Sequence, residues 1–305
     1  MPETKNKTNE RLHGSLYVII SATIFGLMPL MTKTILNHGA NGYTAAFFRY
    51  AIGSLILYAV IKLSRNKTIR IEKKQIGIAA LFSLFYASLL AFLFTSYSYI
   101  QLGLATTLHF TYPAIVILLN LIIYKAVPSK NEIFSLCLAI AGVFLMNAYG
   151  GDINATGVVF AILSGVSLAA FAVLFEHSSL KSQPTIVATF WISVFSAIDL
   201  AVFITLTGNW QLPSDSTGWI MTGVMAITTG VIALVCFQKG IATCGSVTAS
   251  LLSTLEPITS LLIGWVMFNE DLTTLSLIAV ACILCSALVL LIGKPKASEK
   301  KAMAE

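Results

Sequence analysis

The chain has 305 residues, of which 57% are hydrophobic and only 10% are charged. A soluble domain of this length carries roughly a quarter charged residues, so the composition excludes a soluble globular protein and indicates an integral membrane protein. The net charge of +6 would suit a nucleic-acid partner, but the basic residues lie in loops where a membrane protein needs them, and we expect no nucleic acid.

Ten apolar runs are long enough to cross a bilayer as helices. A spanning helix needs about 20 mostly apolar residues, and only helices or closed barrels satisfy their backbone groups in hydrocarbon. The runs lack the polar–apolar alternation of barrel strands, so all ten are predicted helices, numbered spans 1 to 10. Their predicted ranges are 15–36, 42–63, 75–97, 103–124, 131–148, 156–176, 185–207, 217–239, 246–268 and 273–292.

The basic residues predict that both termini are cytosolic. With the N-terminus in the cytosol, cytosolic segments hold 17 of the 19 Lys and Arg residues, and the loops on the other side hold only acidic charges. This positive-inside pattern is typical of a multi-pass protein of the inner or plasma membrane. The basic run at 62–74 is expected to contact anionic membrane lipid.

The second half of the chain repeats the first. Displaced by 144 residues, LATTLHFTYPAIVILL (104–119) aligns with TASLLSTLEPITSLLI (248–263), which places Pro113 on Pro257. Because each half has five spans, an odd number, the second copy has the opposite orientation in the membrane. Inverted repeats of this kind are a transporter architecture, with the substrate bound near the bilayer midplane where the halves meet.

Two signatures resemble the EamA domains of the drug/metabolite transporter (DMT) superfamily. One is FFRYAIGSLIL (47–57); the other is a block in each half, 105–146 and 249–291, with small residues before a Pro-containing helix, a polar link and a last span. The resemblance covers about residues 14–292. It implies an all-α polytopic protein of ten transmembrane helices in two inverted five-helix repeats, around a cavity lined mainly by spans 1, 3, 4, 6, 8 and 9. It also implies ATP-independent movement, commonly outward, of a small metabolite such as an amino acid or a related amphiphile.

The predicted organisation follows from the repeat and the charges. A cytosolic N-terminal tail (1–13) precedes the first EamA-like repeat (14–148), and an extracytoplasmic linker (149–155) leads to the second repeat (156–292). A basic cytosolic tail (293–305) completes the chain.

Span 9 contains a carboxylate beside a proline, Glu256 before Pro257, and Ser253 and Ser260 share its helix face. An ionised carboxylate at mid-bilayer costs at least about 2.5 kcal/mol unless it is paired or hydrated. Three roles are open for Glu256. It can bind the ammonium of an amine or amino acid, carry a proton coupled to transport, or serve structurally as a neutral acid that caps freed carbonyls.

Span 4 has a comparable polar stripe, formed by Thr106, His109 and Tyr112. His109 is either part of the transport pathway or a hydrogen-bond partner between helices. Tyr112 and Tyr86 of span 3 are aromatic candidates for the cavity wall, with affinity for apolar or cationic groups. Together with the polar residues of span 9, these residues form the predicted substrate-binding or coupling site.

Prolines and a glycine predict breaks that can act as gates. Pro113 and Pro257 each remove one helical hydrogen bond, so the carbonyls four residues earlier become acceptors for a ligand or a cation. In span 1, Gly26 and Pro29 permit close approach and a kink, so we expect this helix to rock as a gate.

Arg49 and Asp199 lie at similar predicted depths in spans 2 and 7. They can act as an outer gate or a clamp for an anionic substrate. The simpler interpretation, which we favour, is a structural ion pair that allows both charges to be buried.

Other functional classes lack their motifs. The five cysteines lie in apolar runs without ligand spacing, so no metal site or cofactor is predicted. No catalytic cluster of a membrane enzyme acting on lipid-linked substrates is present, and no phosphate-binding loop supports ATP-driven pumping. The chain is therefore predicted not to be an enzyme. A non-transporting membrane scaffold remains an alternative, and a homodimer is left open.

Overall fold

The computed structural model describes residues 2–64, 68–100, 102–146, 154–268 and 273–292. Every regular element within these ranges is a helix. Nine helical units in this part of the chain are at least 18 residues long and apolar enough to span a membrane, and span 5 is a shorter helix of 17 residues. The prediction of an all-α polytopic membrane protein is confirmed. The linker at 149–153 and the C-terminal tail lie outside the described residues.

The helices follow the predicted spans, except that the first helix begins at Pro2 and so includes most of the segment predicted as the N-terminal tail (1–13). Span 1 comprises Pro2–Phe25 and Met28–Asn37, span 2 Gly42–Leu63, span 3 Lys73–Ser96, span 4 Leu102–His109 and Tyr112–Tyr124, and span 5 Lys130–Met146. In the second half, span 6 is Ala155–Glu176, span 7 Thr185–Thr207 and span 10 Thr274–Ile292. Span 8 comprises Ser216–Met225, a π-helix at Ala226–Ala233, and Leu234–Cys244; span 9 comprises Ser246–Leu252, a 3-10 turn at Ser253–Leu255, and Glu256–Phe268.

Three spans are broken beside a proline. The breaks lie at residues 26–27 of span 1 and 110–111 of span 4, and at the 3-10 turn of span 9. Pro29, Pro113 and Pro257 each follow a break within the first turn of the next helix. A proline is tolerated there because the first-turn N–H groups have no partner within the helix.

The π-helix in span 8 has no counterpart in the predictions, since the segment contains no proline. A Cβ atom on Gly230 in this segment would lie 2.5 Å from the carbonyl oxygen of Arg49. The missing side chain therefore allows span 8 to pack directly on the backbone of span 2. π-Helical turns are frequent at functional sites, and this one lies against a buried charge.

One cluster of buried apolar side chains draws on all ten spans. Spans 5 and 10 pack on each other, where the hydroxyl groups of Ser135 and Ser286 lie 2.8 Å apart and Gly142 lies against Ile283. Span 1 packs on span 9 at Gly26 and contacts Arg49, the buried charge of span 2, through Phe25 and Met28.

Candidate functional site

Arg49 is the buried cation of the site, with only 3% of its surface exposed. Its guanidinium lies over the ring of Tyr50 at 4.8 Å and faces that of Phe25 at 5.6 Å. Nη1 lies 3.4 Å from the Met28 Sδ, and Nη2 donates to the Tyr50 hydroxyl at 3.4 Å. Its Nε has no hydrogen-bond partner among the described residues. The cation is therefore surrounded by aromatic rings and a thioether rather than by a carboxylate.

The predicted ion pair between Arg49 and Asp199 is not formed in the described structure. Asp199 instead accepts a hydrogen bond of 2.6 Å from the Ser83 hydroxyl, which joins span 7 to span 3. The sequence indicates the depth of each residue in its span but not the rotation of the helix about its axis. That rotation turns Arg49 toward span 1 and Asp199 toward span 3.

Glu256 is half-buried at the start of the second helix of span 9. Its backbone N–H donates to the carbonyl of Ser253, which closes the 3-10 turn. The carbonyl that Pro257 was expected to leave open is therefore already occupied, because a 3-10 turn moves the donor one residue back along the chain. This carbonyl is not the free acceptor that the proline alone predicts.

The break in span 1 packs against the start of this helix. A Cβ on Gly26 would lie 2.8 Å from the carbonyl oxygen of Glu256 and 2.4 Å from the Cβ of Thr259. The Ser260 hydroxyl donates to the Gly26 carbonyl at 3.0 Å, which supplies a partner for a group that the break exposes. Gly26, Glu256 and Ser260, all predicted site residues, therefore belong to one contact between two interrupted helices, and Pro29 follows the break in span 1.

Two ionisable residues lie near this break. Arg49 contacts Phe25 and Met28, which flank the break, while the backbone carbonyl of Glu256 lies against Gly26. The guanidinium acts electrostatically on the Glu256 carboxylate, but no ion pair within 4.0 Å joins these two described residues. Arg49 and Glu256 therefore interact electrostatically without forming an ion pair in the described structure.

Tyrosines of spans 2, 3 and 4 make contacts between neighbouring spans. The rings of Tyr50 and Tyr86 lie 6.2 Å apart, and Tyr86 packs on Phe171 of span 6 at 4.4 Å. The Tyr86 hydroxyl has no hydrogen-bond partner in the described part of the chain. The Tyr112 hydroxyl donates to the Ser250 carbonyl at 3.2 Å and so ties span 4 to span 9. The Tyr86 hydroxyl therefore makes no hydrogen bond of ordinary length but lies near the Gln238 side chain, whereas the Tyr112 hydroxyl is bonded.

His109 holds spans 4 and 6 together. Its Nδ1 lies 2.9 Å from the Ser164 hydroxyl, which itself donates to the Ala161 carbonyl at 2.6 Å. Since a hydroxyl has one proton, Ser164 must accept from the Nδ1–H of His109. A Cβ on Gly165 would lie 2.9 Å from the His109 carbonyl oxygen, so the helices are in close contact here. This geometry favours the helix-partner interpretation of His109.

The remaining predicted polar residues have local partners. Ser253 is buried, and its hydroxyl donates to the Ala249 carbonyl one turn earlier at 2.9 Å. Thr106 is half-buried and hydrogen-bonds through its side chain to Tyr97 at the end of span 3. These two residues line the spans without offering an evident free group.

Buried polar residues on spans 7 and 8 were not among the predicted site residues. Gln238 is fully buried, with its Oε1 2.9 Å from the Thr189 hydroxyl. Thr189, Ser193 and Ser196 are spaced by four and three residues, so they share one face of span 7. This spacing is the sequence signal that could have identified them. The buried side-chain atoms without a hydrogen-bond partner among the described residues are Arg49 Nε, Tyr86 Oη, Ser193 Oγ, Ser196 Oγ and Gln238 Nε2.

Unpaired buried polar groups are rare in native proteins and call for an explanation such as a ligand site or a catalytic role. Within the described ranges no three His, Cys, Asp or Glu side chains lie close enough to hold a metal ion. The chemistry of the site is that of hydrogen-bond donors, one cation and one carboxylate, which suits a small polar organic molecule.

Comparisons with known proteins identify the family of the fold. The model of the EamA-like transporter family matches residues 12–148 and again 155–292. The chain is similar to an uncharacterized transporter of Archaeoglobus fulgidus, with 26% identity over 279 residues that cover 91% of this chain and 96% of that protein. It is also similar to the uncharacterized transporter YwfM of Bacillus subtilis, with 24% identity over 286 residues, 90% of this chain and 93% of the relative.

A protein of known crystal structure has the same fold. Its TM-score is 0.78 at 18% sequence identity, and the match covers 92% of this chain and 98% of that one. At this identity the likeness shows the fold alone.

Proposed function

The chain belongs to the EamA-like transporter family, and from this premise we propose that it is a secondary transporter that exports a small metabolite by alternating access. The proposed cargo is an amino acid or a related amphiphile. The proposed topology has both termini in the cytosol and inverted repeats at 14–148 and 156–292. Membership of the family and the names of the relatives support a membrane transporter. The cargo, the direction of transport and the topology are our proposal.

The observation that carries the proposal is the contact between the breaks of spans 1 and 9, to which Glu256 contributes its backbone carbonyl and beside which Arg49 contacts Phe25 and Met28. Broken helices whose ends surround polar groups near the middle of a bundle are a feature of secondary transporters. Bending is easier at these breaks than within a regular helix, because Pro29 and Pro257 have no N–H and so each lacks one helical hydrogen bond. The substrate site and the hinge are thus the same place, so occupancy can change the position of span 1.

Contacts at the two ends of the bundle can open in turn. At one end the link between spans 1 and 2 is joined to the link between spans 7 and 8, where His38 Nδ1 lies 2.7 Å from the Asp215 carboxylate. At the end predicted to be cytosolic, the Ser246 N–H donates to the Glu176 carboxylate at 2.8 Å, and the Asn120 amide donates to the Ser246 hydroxyl at 3.0 Å. We infer that these two sets of contacts are the outer and inner gates.

Glu256 is proposed as the coupling group. Two roles remain for it, as a ligand of a substrate ammonium or as a proton carrier, and both require a carboxylate in the wall of the pathway. The site supports both, because Glu256 is half-buried and not engaged in an ion pair with Arg49 in the described structure.

The test is flux through the full-length protein in liposomes, after a metabolite comparison of cells with and without it identifies the cargo. Glu256→Gln should fold and reduce pH-driven flux by at least about 10-fold, the scale of losing one essential charged contact. Asp199→Asn, which removes another intramembrane carboxylate away from Arg49, should keep the pH profile. Normal flux with an unchanged pH profile in Glu256→Gln would exclude the coupling role, and absence of flux in wild-type vesicles would exclude a transporter.

A further inference from the structure

We propose that the transported molecule carries a single negative charge, a carboxylate, which binds to Arg49 together with the hydroxyl groups of Tyr50 and Tyr86. This inference rests on the transport function proposed above and adds the charge and chemical class of the substrate. It concerns spans 2 and 3, whereas the coupling role concerns Glu256 of span 9.

Arg49 carries a buried charge that forms no ion pair among the described residues. Arg49 is 3% exposed and contacts two aromatic rings and a methionine, with no carboxylate in an ion pair among the described residues. A guanidinium keeps its charge in proteins, and a buried charge without a counter-ion is strongly destabilising. Such a group is retained at a cost to the fold, which is expected where an anion binds during the working cycle.

Hydrogen-bond donors surround the Arg49 charge. The Arg49 Nε–H has no partner in the described part of the chain, and the Tyr86 hydroxyl makes no hydrogen bond of ordinary length there, although the Gln238 side chain lies close to it. Tyr50 accepts from Arg49 Nη2, so its own proton is available to donate elsewhere. Both tyrosines are at most 4% exposed, and their rings are 6.2 Å apart. Charge-assisted bonds from such donors to an oxyanion are about twice as strong as neutral ones.

Neither nearby carboxylate forms an ion pair with Arg49 in the described structure. Asp199 accepts a hydrogen bond of 2.6 Å from Ser83, and the Glu256 carboxylate, although near enough to interact electrostatically, lies outside ion-pair distance of Arg49. One cation matches one negative charge, so a monocarboxylate fits better than a phosphate ester with two charges. The Glu256 carboxylate is then left for a cationic or protonated part of the same molecule.

The position of Arg49 also connects binding to movement. Span 8 packs on the backbone of Arg49, since a Cβ on Gly230 of the π-helix would lie 2.5 Å from the Arg49 carbonyl oxygen. The Arg49 guanidinium contacts Phe25 and Met28, on either side of the break in span 1. An anion that draws the guanidinium away from these two side chains changes the support of the gate helix.

The experiment measures counterflow into liposomes that contain the full-length protein. Two pools are offered separately, amino acids with small monocarboxylic acids, and the corresponding primary amides, and internal solutes are identified by mass spectrometry. Wild type should accumulate acids at least 10-fold over amides. Arg49→Met should lose this preference, and Tyr86→Phe should reduce it severalfold. The matched controls Lys62→Met and Tyr58→Phe change exposed residues of span 2 and should keep it.

Each result has a distinct meaning. Equal accumulation of acids and amides by wild type, or an unchanged preference in a folded Arg49→Met, would overturn the carboxylate site while leaving the transport function intact. Preference for a third pool of sugar phosphates would overturn the single-charge argument. No accumulation from any pool above empty liposomes would overturn transport itself. If Arg49→Met does not elute as a folded protein, the acid-to-amide ratio of Tyr86→Phe decides, and an unchanged ratio counts against the proposal.

Discussion

Replacing Gly26 by alanine tests the contact between the two broken helices. The new Cβ would lie 2.4 Å from the Thr259 Cβ and 2.8 Å from the Glu256 carbonyl oxygen. Carbon atoms in contact prefer about 3.5–4.0 Å, so the first distance is short by more than about 1 Å. Both neighbours are close to or part of the backbone and cannot rotate away. Overpacking of this kind costs about 1–3 kcal/mol.

For a domain of 150–250 residues, 1 kcal/mol corresponds to about 2–4 °C in melting temperature. Gly26→Ala should therefore melt about 2–12 °C below wild type in detergent, and flux should fall because span 1 is displaced. The control is Gly77→Ala, at an exposed position of span 3 where a new Cβ meets nothing within 4 Å. There alanine should be neutral or stabilise by up to about 1 kcal/mol. Equal melting temperatures for the two variants would refute the tight contact of spans 1 and 9.

Two further predictions concern the outer end and span 4. The backbone N–H of Gly218, with a smaller contribution from His38, holds the pKa of Asp215 below its usual value, so its stabilising effect is present above about pH 4 and is lost as the pH falls through the lowered pKa. The difference in melting temperature between wild type and Asp215→Asn should shrink between about pH 5 and pH 3; a constant difference would contradict this. His109→Ala should lower stability by about 1–3 kcal/mol, because the bond to buried Ser164 is lost, while the pH profile of flux is kept. A shifted profile with normal stability would instead identify His109 as a coupling group.

The breaks of spans 1, 4 and 9 could be predicted because their cause is local. A proline lacks an N–H and fixes φ wherever the rest of the chain lies, so Pro29, Pro113 and Pro257 show where a helix is interrupted. The π-helix of span 8 has no such mark. It lies where Gly230 packs on the backbone of Arg49, a contact between residues far apart in sequence.

The partners of the charges were the least predictable feature. Depth along a span suggested that Arg49 and Asp199 pair, yet Arg49 faces Tyr50 and Phe25, and Asp199 faces Ser83. Two charges meet only if their helices are neighbours and are rotated toward each other. The hydropathy of a span predicts neither which helices are its neighbours nor its rotation about its own axis. The same limit explains why Gln238, beside the basic end of span 8, was not recognised as part of the site.

The sequence by itself determined that the chain is a polytopic helical membrane protein with a repeated half and interrupted helices. Hydrocarbon imposes these features segment by segment, through the length of each apolar run and the satisfaction of its backbone. Only the tertiary structure decided which polar groups face one another, because that depends on helix rotation and on the close contacts that small residues such as Gly26 and Gly230 permit. The unpaired Arg49 belongs to this second class, since its isolation is visible only when every neighbouring span is in place.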